Sequence, residues 1–276
     1  MTDTFEQPFG PLIDTTLRVM SWNLWWRFGP WQERQAAIIE TLRRVDADVI
    51  ALQEVWDDGR TGQADLLADA LGFHAAFDAR MSFGDVRMGN AVLCRWPITG
   101  TTSRAYSTEG DTQEDRLVLR ADIDGPRGPL QVFSTHLNWR LDHSRPRQAQ
   151  VRQLCEFVAD SRPRSFPAIV CGDFNADPLS DEIEMMTGRA AVPVDRLVFL
   201  DSWETGGDGT TGATWSKANP YAEQLLEPDR RIDYVFTGWP RAGGAGSAVR
   251  CRVAADEPID GVWPSDHFAV TADLRY

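Results

Sequence analysis

The chain has 276 residues, 42% of them hydrophobic, with 41 acidic against 28 basic side chains and a net charge of −13. That length suits one large α/β domain or two small ones and is enough to bury a substantial core. No apolar run is long enough to span a bilayer, and the acidic balance disfavours tight, salt-sensitive binding to long nucleic acid.

Residues 1–15 read as an irregular lead-in to a single domain, with Asp3 and Glu6 where a signal peptide would carry basic residues. Residues 17–22 read as a strand. Residues 31–45 place Ile38, Ile39, Leu42 and Val45 at helical spacing. A short apolar strand at 48–53, a helix at 65–71 and a strand at 73–77 follow. Further strands are expected at 90–94, 117–123 and 130–135, the last two joined as a hairpin by Gly125-Pro126-Arg127-Gly128-Pro129. Residues 145–159 read as a helix with Val151, Leu154 and Val158 on one face. Strands at 168–171, 232–237, 249–253 and 268–274 complete the pattern. In the last, Phe268, Val270, Ala272 and Leu274 alternate with Ala269, Thr271 and Asp273. Residues 206–219 and 243–246 read as surface loops. Hairpins mixed with αβ alternation predict an α/β (α+β) fold of mixed sheets with helices outside. Cys94, Cys155, Cys171 and Cys251 are widely spaced and form no C-x-x-C. They suggest buried thiols and a reducing cytoplasm.

Polar residues gather at the ends of these strands. Asn23 follows the first, Gln53 and Glu54 the second, Thr135 and His136 the hairpin strand. Gly172-Asp173-Phe174-Asn175 follows the apolar run Ala168-Ile169-Val170-Cys171. Gly172 would let the backbone turn tightly and approach a ligand. Ligands of open α/β sheets sit beyond the carboxyl ends of strands. Asp233 lies early in its strand, and Asp266-His267 precede the last, so antiparallel strands would have to bring both to the same edge. Each residue has a plainer reading: Asn23 a turn, Glu54 a helix cap, His136 and His267 satisfied core histidines. A lone carboxylate inside the apolar strand of Asp233 is harder to dismiss, because burying it without a partner is costly. His74 and His143 read as structural or surface residues. An acid, an amide and an imidazole together are what a metal-assisted hydrolase needs. Carboxylate and amide oxygens suit Mg2+ or Mn2+, and with no Cys cluster or helical His pair zinc is disfavoured.

Trp22-Asn23, Gln53-Glu54, Thr135-His136, Gly172-Asp173-Phe174-Asn175, Arg231-Ile232-Asp233-Tyr234 and Ser265-Asp266-His267, in this order, resemble the endonuclease/exonuclease/phosphatase superfamily. Gly89 to Arg95 also looks like that family's strand before its middle hairpins. Each motif is short; six in order across nearly the whole chain are specific. The resemblance implies a deoxyribonuclease I-like, four-layered α/β sandwich, two mixed sheets face to face with helices outside. It implies that Glu54 binds the metal, with Asn23 and Asp266 close by. Asp233 would orient His267, Asp173 would orient or deprotonate water, and Asn175 and His136 would hydrogen-bond phosphoryl oxygens, with His136 also stabilising charge if protonated. Asp173 and His267 both remain candidates for the base.

The substrate is less defined. Trp22, Trp25, Trp26, Phe28 and Trp31 after the first strand, and Trp139 after His136, either stack on substrate or pack the fold. Arg140, Arg145 and Arg147 lie before a helix, and either bind phosphate or form a solvated face. The leading expectation is a metal-dependent phosphodiesterase or phosphatase on a small or short phosphoester, acting as a monomer, with Trp139, Arg145 and Arg147 at the substrate. A DNA or RNA nuclease is the alternative, and a catalytically silent binding module on the same fold is a third reading.

Overall fold

The central strands are apolar on both faces, which forces layers on both sides. In β1 (Thr16–Asn23), Leu17 and Val19 enter one core and Met20 and Trp22 another. In β2 (Val49–Asp57), Val49 and Ala51 face the first core, Ile50 and Leu52 the second. The computed structural model describes residues 8–107, 114–161 and 165–276. Its further strands are β3 (His74–Phe83), β4 (Val86–Cys94), β5 (Ile98–Ala105), β6 (Leu117–Gly125), β7 (Gly128–His136) and β8 (Ile169–Asp173). β9 (Phe199–Asp201), β10 (Asp233–Gly238), β11 (Ala248–Ala254) and β12 (Ala269–Arg275) complete the set. They form two six-stranded sheets, ordered β11-β12-β1-β2-β4-β3 and β5-β6-β7-β8-β10-β9.

The sheets meet face to face over one core, where Leu17, Val19, Val49 and Val92 oppose Leu119, Leu130, Val132 and Ile169. Helices α1 (Trp31–Val45) and α2 (Gln63–Leu71) cover the first sheet through Ile38, Leu42 and Leu67. Helices α3 (Ser144–Asp160) and α4 (Asp181–Thr187) cover the second through Val151, Leu154, Val158 and Ile183. This is the expected four-layered sandwich. No described helix is long and apolar enough to cross a membrane.

Each sheet has a parallel pair at its centre, β1 with β2 and β7 with β8, so four carboxyl ends point to one edge. β10 runs antiparallel to β8 and β12 antiparallel to β1, which returns their beginnings to that edge. The register then sets Asn23 opposite Gln53, and Asp173 opposite both His136 and Asp233. Side chains more than 200 residues apart in sequence therefore share one rim, as the strand-end argument requires.

Several local expectations need correction. β5 escaped detection because Ile-Thr-Gly-Thr-Thr-Ser-Arg-Ala is an exposed edge strand with little apolar signal. Residues 206–219 are more than a surface loop: Thr214 and Asn219 are fully buried beneath the site. Gly172 has no unusual turn to make. A Cβ there would overlap the Thr135 carbonyl oxygen, so the glycine lets β8 lie against β7 and approaches a neighbouring strand, not a ligand. Residues 1–7 of the expected lead-in lie outside the described residues.

Candidate active site

Glu54 stands where β2 loses register with β4, between Leu52 and Val55, with a φ of 53°. A left-handed residue at a bulge re-aims its side chain, and here the glutamate turns out of the strand toward the rim. One of its oxygens, Oε2, is buried without a hydrogen-bond partner. The other lies 3.9 Å from His136 Nδ1. From His136, Nε2 is 3.4 Å from Asp173 Oδ2, and that oxygen is 3.7 Å from His267 Nε2. Glu54 and His267 thus belong to one continuous polar cluster.

Asp173 is buried at the end of β8, with Oδ2 accepting from Asn23 Nδ2 (3.0 Å) and Oδ1 from the Asn175 backbone N–H (2.9 Å). Burial, then the neighbouring Asp233, pushes its carboxyl up to about 7, and the imidazole of His267 and these hydrogen bonds only partly oppose that. Asp266 is likewise pushed up to about 7 by burial, with Glu54 adding repulsion against the pull of His267 and Arg34. Asp233 Oδ2 accepts from His267 Nδ1 at 2.9 Å, which puts a proton on Nδ1. Burial works against charging His267, but Asp233 and Asp173 outweigh it and raise the imidazole well above its ordinary value.

His136 behaves in the opposite way. Arg116 Nη1 lies 2.9 Å from His136 Nδ1. A guanidinium has only donors, so Nδ1 must accept and Nε2 must carry the proton. Burial, then Arg116, then His267 hold its imidazolium well below the usual range. His136 is therefore a neutral donor, able to hydrogen-bond a phosphoryl oxygen but bringing no positive charge to it. Its Nε2 lies 3.1 Å from the Asn175 amide nitrogen. The Asn175 amide also donates to the Leu137 carbonyl at 3.2 Å, which leaves it a second N–H beside that of His136 Nε2, and two adjacent N–H donors suit an anionic oxygen. Asn175 itself sits at a φ of 51°, a conformation asparagine tolerates better than most residues.

The sequence reading missed the residues that hold this cluster. Arg116 is anchored by Glu114 Oε2, at 3.0 Å from Nε and 2.8 Å from Nη2. Thr214 Oγ1 accepts from the backbone N–H groups of Ile232 and Asp233, and its carbonyl accepts from Phe268 N at 2.7 Å. Trp215 meets the His267 ring edge to face at 5.0 Å. Asn219 Nδ2 donates to the Ser265 carbonyl at 2.7 Å. These residues lie in stretches with no strand period to mark them. Gln53, by contrast, ties the sheets together: its amide donates to Ser134 Oγ at 3.1 Å.

The proposed substrate residues divide. Trp139 is 56% exposed, and its backbone N–H points at Glu114, which links it to Arg116 and His136. Arg145 is exposed on the first turn of α3, and among the described residues no bond joins it to the cluster. Arg147 is corrected outright: it is 3% exposed, its Nε donates to Glu182 Oε1 at 2.5 Å, and Nη1 donates to the carbonyls of Asn138 and Arg140. It holds the start of α3 in place and does not face a phosphate. Of the aromatic residues, Trp22 is core, with Nε1 donating to the His267 carbonyl at 3.0 Å. Trp31 packs on Trp56, while Trp25, Trp26 and Phe28 form an outer rim with Phe83 and Tyr221. A narrow cleft of about 20 Å³ opens beside Glu54 and His136 toward Arg80, Met81 and Met88.

The donor set fits a divalent cation. Mutually repelling buried carboxylates and an unpartnered glutamate oxygen are a costly arrangement unless a cation joins them. Asp173, Asp233 and His267 also bring one ligand atom each within 4.8 Å of one another. Asp233 and His267 are already bonded to each other through Oδ2 and Nδ1, while Asp233 Oδ1 and Glu54 Oε2 are both buried without a hydrogen-bond partner and can be offered to a cation.

Residues 20–267 match the Endonuclease/Exonuclease/phosphatase family. The chain belongs to that family. Over 151 residues it is 34% identical to the uncharacterized protein YbhP of Escherichia coli K12, covering 49% of this chain and 56% of that protein. The chain thus spans little more than half the length of that relative. It is 26% identical to the inositol phosphosphingolipids phospholipase C of Schizosaccharomyces pombe, over 94% of this chain and 68% of that one. The structure of D. rerio TDP2 complexed with a single-strand DNA product superposes with a TM-score of 0.77 at 19% identity, covering 95% of this chain and all of that one. This last likeness supports the fold alone.

Proposed function

We propose that the protein is a divalent-metal-dependent phosphoesterase that hydrolyses a P–O bond in a small or short substrate, a phosphodiester or phosphomonoester. One observation carries the reading: the His136–Asn175 donor pair and the Asp233–His267 pair flank Asp173, and Glu54, with an unpartnered oxygen, adjoins them through His136 on one rim. Glu54 and Asp266, with Asn23 beside them, would hold Mg2+ or Mn2+, which supplies charge stabilisation at the phosphoryl and leaving oxygens. Phosphoryl transfer asks a protein mainly for positioning and electrostatics. His136 Nε2–H and the Asn175 amide donate to non-bridging oxygens. Asp173 aligns the attacking water and takes its proton. His267, already favoured as a cation by Asp233, enters as a charge stabiliser and not as the base.

The small-substrate reading rests on the acidic surface and the modest cleft. The names of the fission-yeast relative and the D. rerio structure point to a lipid phosphodiester and to DNA, which share diester chemistry. We place the chain in the cytoplasm, where its four buried, unpaired thiols would stay reduced.

The test compares hydrolysis of bis(p-nitrophenyl) phosphate and p-nitrophenyl phosphate with Mg2+, with Mn2+ and with chelator. Turnover that needs the metal is expected. No turnover of either ester with any metal would favour a silent binding module. Plasmid nicking at low and moderate salt forms the second arm, and efficient nicking that weakens steeply with salt would move the assignment to a nuclease.

A further inference from the structure

The loop after Asn23 is held in a conformation its residues disfavour. Trp25 and Trp26 have φ values of 56° and 33°. Bulky side chains rarely enter that region, and such strain persists only where the surroundings over-determine it. Here one side chain does so. Arg34, on α1, is 1% exposed. Its Nη1 donates to the carbonyls of Leu24 (2.8 Å) and Pro264 (2.9 Å). Its Nη2 donates to those of Trp25 (2.9 Å), Trp26 (2.8 Å) and Phe28 (3.0 Å). All five acceptors are main-chain carbonyls, and among the described residues no carboxylate bonds this guanidinium. Burial lowers it to about 10, with Asp266 and Glu54 among the groups pulling it back up from a distance, so it stays charged at neutral pH.

Keeping a buried cation without a bonded counter-ion is costly. Holding a surface loop alone would not demand it. The two segments that Arg34 joins carry Asn23 and Asp266. They are laced again at Ser265, whose Oγ donates to the Asn23 carbonyl at 2.6 Å. Only the planar arginine fork reaches both segments at once, since a lysine has a single nitrogen.

We propose that Arg34 is a positioning residue for the cation-holding half of the site, locking the Asn23 segment to the Asp266 segment. This rests on the metal-dependent reading above. The experiment measures Mn2+ binding without substrate, by calorimetry and electron paramagnetic resonance, on the wild type, Arg34→Lys and Arg34→Met. Both variants should bind Mn2+ about tenfold more weakly or worse, as expected when a supporting residue of a metal site is lost. Arg34→Lys, which keeps the charge, should lie between wild type and Arg34→Met. High Mn2+ should restore kcat in Arg34→Lys with little change in KM. Variants that fold and bind Mn2+ as the wild type does would overturn the inference and leave the esterase reading intact. A wild type that binds no Mn2+ would overturn both. Should the variants not fold, amide exchange of the wild-type protein decides: residues 24–28 and 265–266 should be equally protected with and without Mn2+. Protection that appears only with the metal would refute a pre-built site.

Discussion

Replacing Asp233 by Asn tests the heart of the proposed chemistry. Asp233 is fully buried, and Oδ2 accepts from His267 Nδ1 at 2.9 Å. A hydrogen bond to a charged group contributes about 1.5–3 kcal/mol. At about 1.4 kcal/mol per tenfold in rate, its loss alone slows turnover about tenfold to 150-fold. The amide introduced by Asp233→Asn has a second effect. If its NH2 group turns toward Nδ1, that nitrogen must accept, so His267 keeps a proton only on Nε2 and loses its positive charge, which raises the expected loss to about a thousandfold. Removing the negative charge also relieves Asp173, whose carboxyl is pushed up to about 7 by burial and then by Asp233. The acid limb of kcat/KM should therefore move to lower pH. The assay is kcat/KM for bis(p-nitrophenyl) phosphate from about pH 5 to 9, with Mn2+ affinity measured in parallel. A kcat/KM within about threefold of wild type would refute the orienting role. A loss matched by lost Mn2+ affinity would make Asp233 a metal ligand instead.

Other predictions follow from the same geometry. Glu54→Gln should lower turnover at least about a hundredfold and weaken Mn2+ binding, because the unpartnered oxygen is the one a cation would use; unchanged titration curves would contradict this. Arg116→Met should free the His136 tautomer, visible in imidazole 15N shifts as loss of a fixed Nε2–H, with at least about a tenfold fall in kcat. Asp173 and Asp266, raised to about 7, hold protons in the metal-free fold that the unfolded chain releases above about pH 4. That stabilisation is therefore lost as pH rises toward 7, and a cation takes the place of those protons. The gain in Tm on adding Mg2+ should be larger at about pH 8 than at about pH 5.5; an equal gain at both would count against carboxylate ligands. Arg147→Met should cost about 3–5 kcal/mol of stability by stranding buried Glu182, yet leave KM unchanged; a raised KM at unaltered Tm would restore a substrate role.

Chemistry at strand ends is legible where a polar residue interrupts an apolar run, and that is how Asn23, Glu54, His136, Asp173, Asn175, Asp233, Asp266 and His267 stood out along the chain. Arg116, Arg34, Thr214 and Asn219 stand in no such pattern. Their importance comes from the carbonyls and rings they meet, from residues up to 230 positions away. Arg147 shows the converse failure: an arginine near a helix start looks like a phosphate ligand until the fold places Glu182 beneath it.

The residue types and their order by themselves determined mixed sheets with helices outside, and the resemblance of the six motifs to a family added the four-layered arrangement. They also determined the presence of hard oxygen ligands beside two histidines. Only the tertiary structure decided the protonation logic. His136 is a neutral donor because Arg116 faces its Nδ1, and His267 is drawn toward the cation because Asp233 faces its own. Two identical side chains take opposite states because a pKa is set by the charges and burial around a group, and those exist only once the chain has folded.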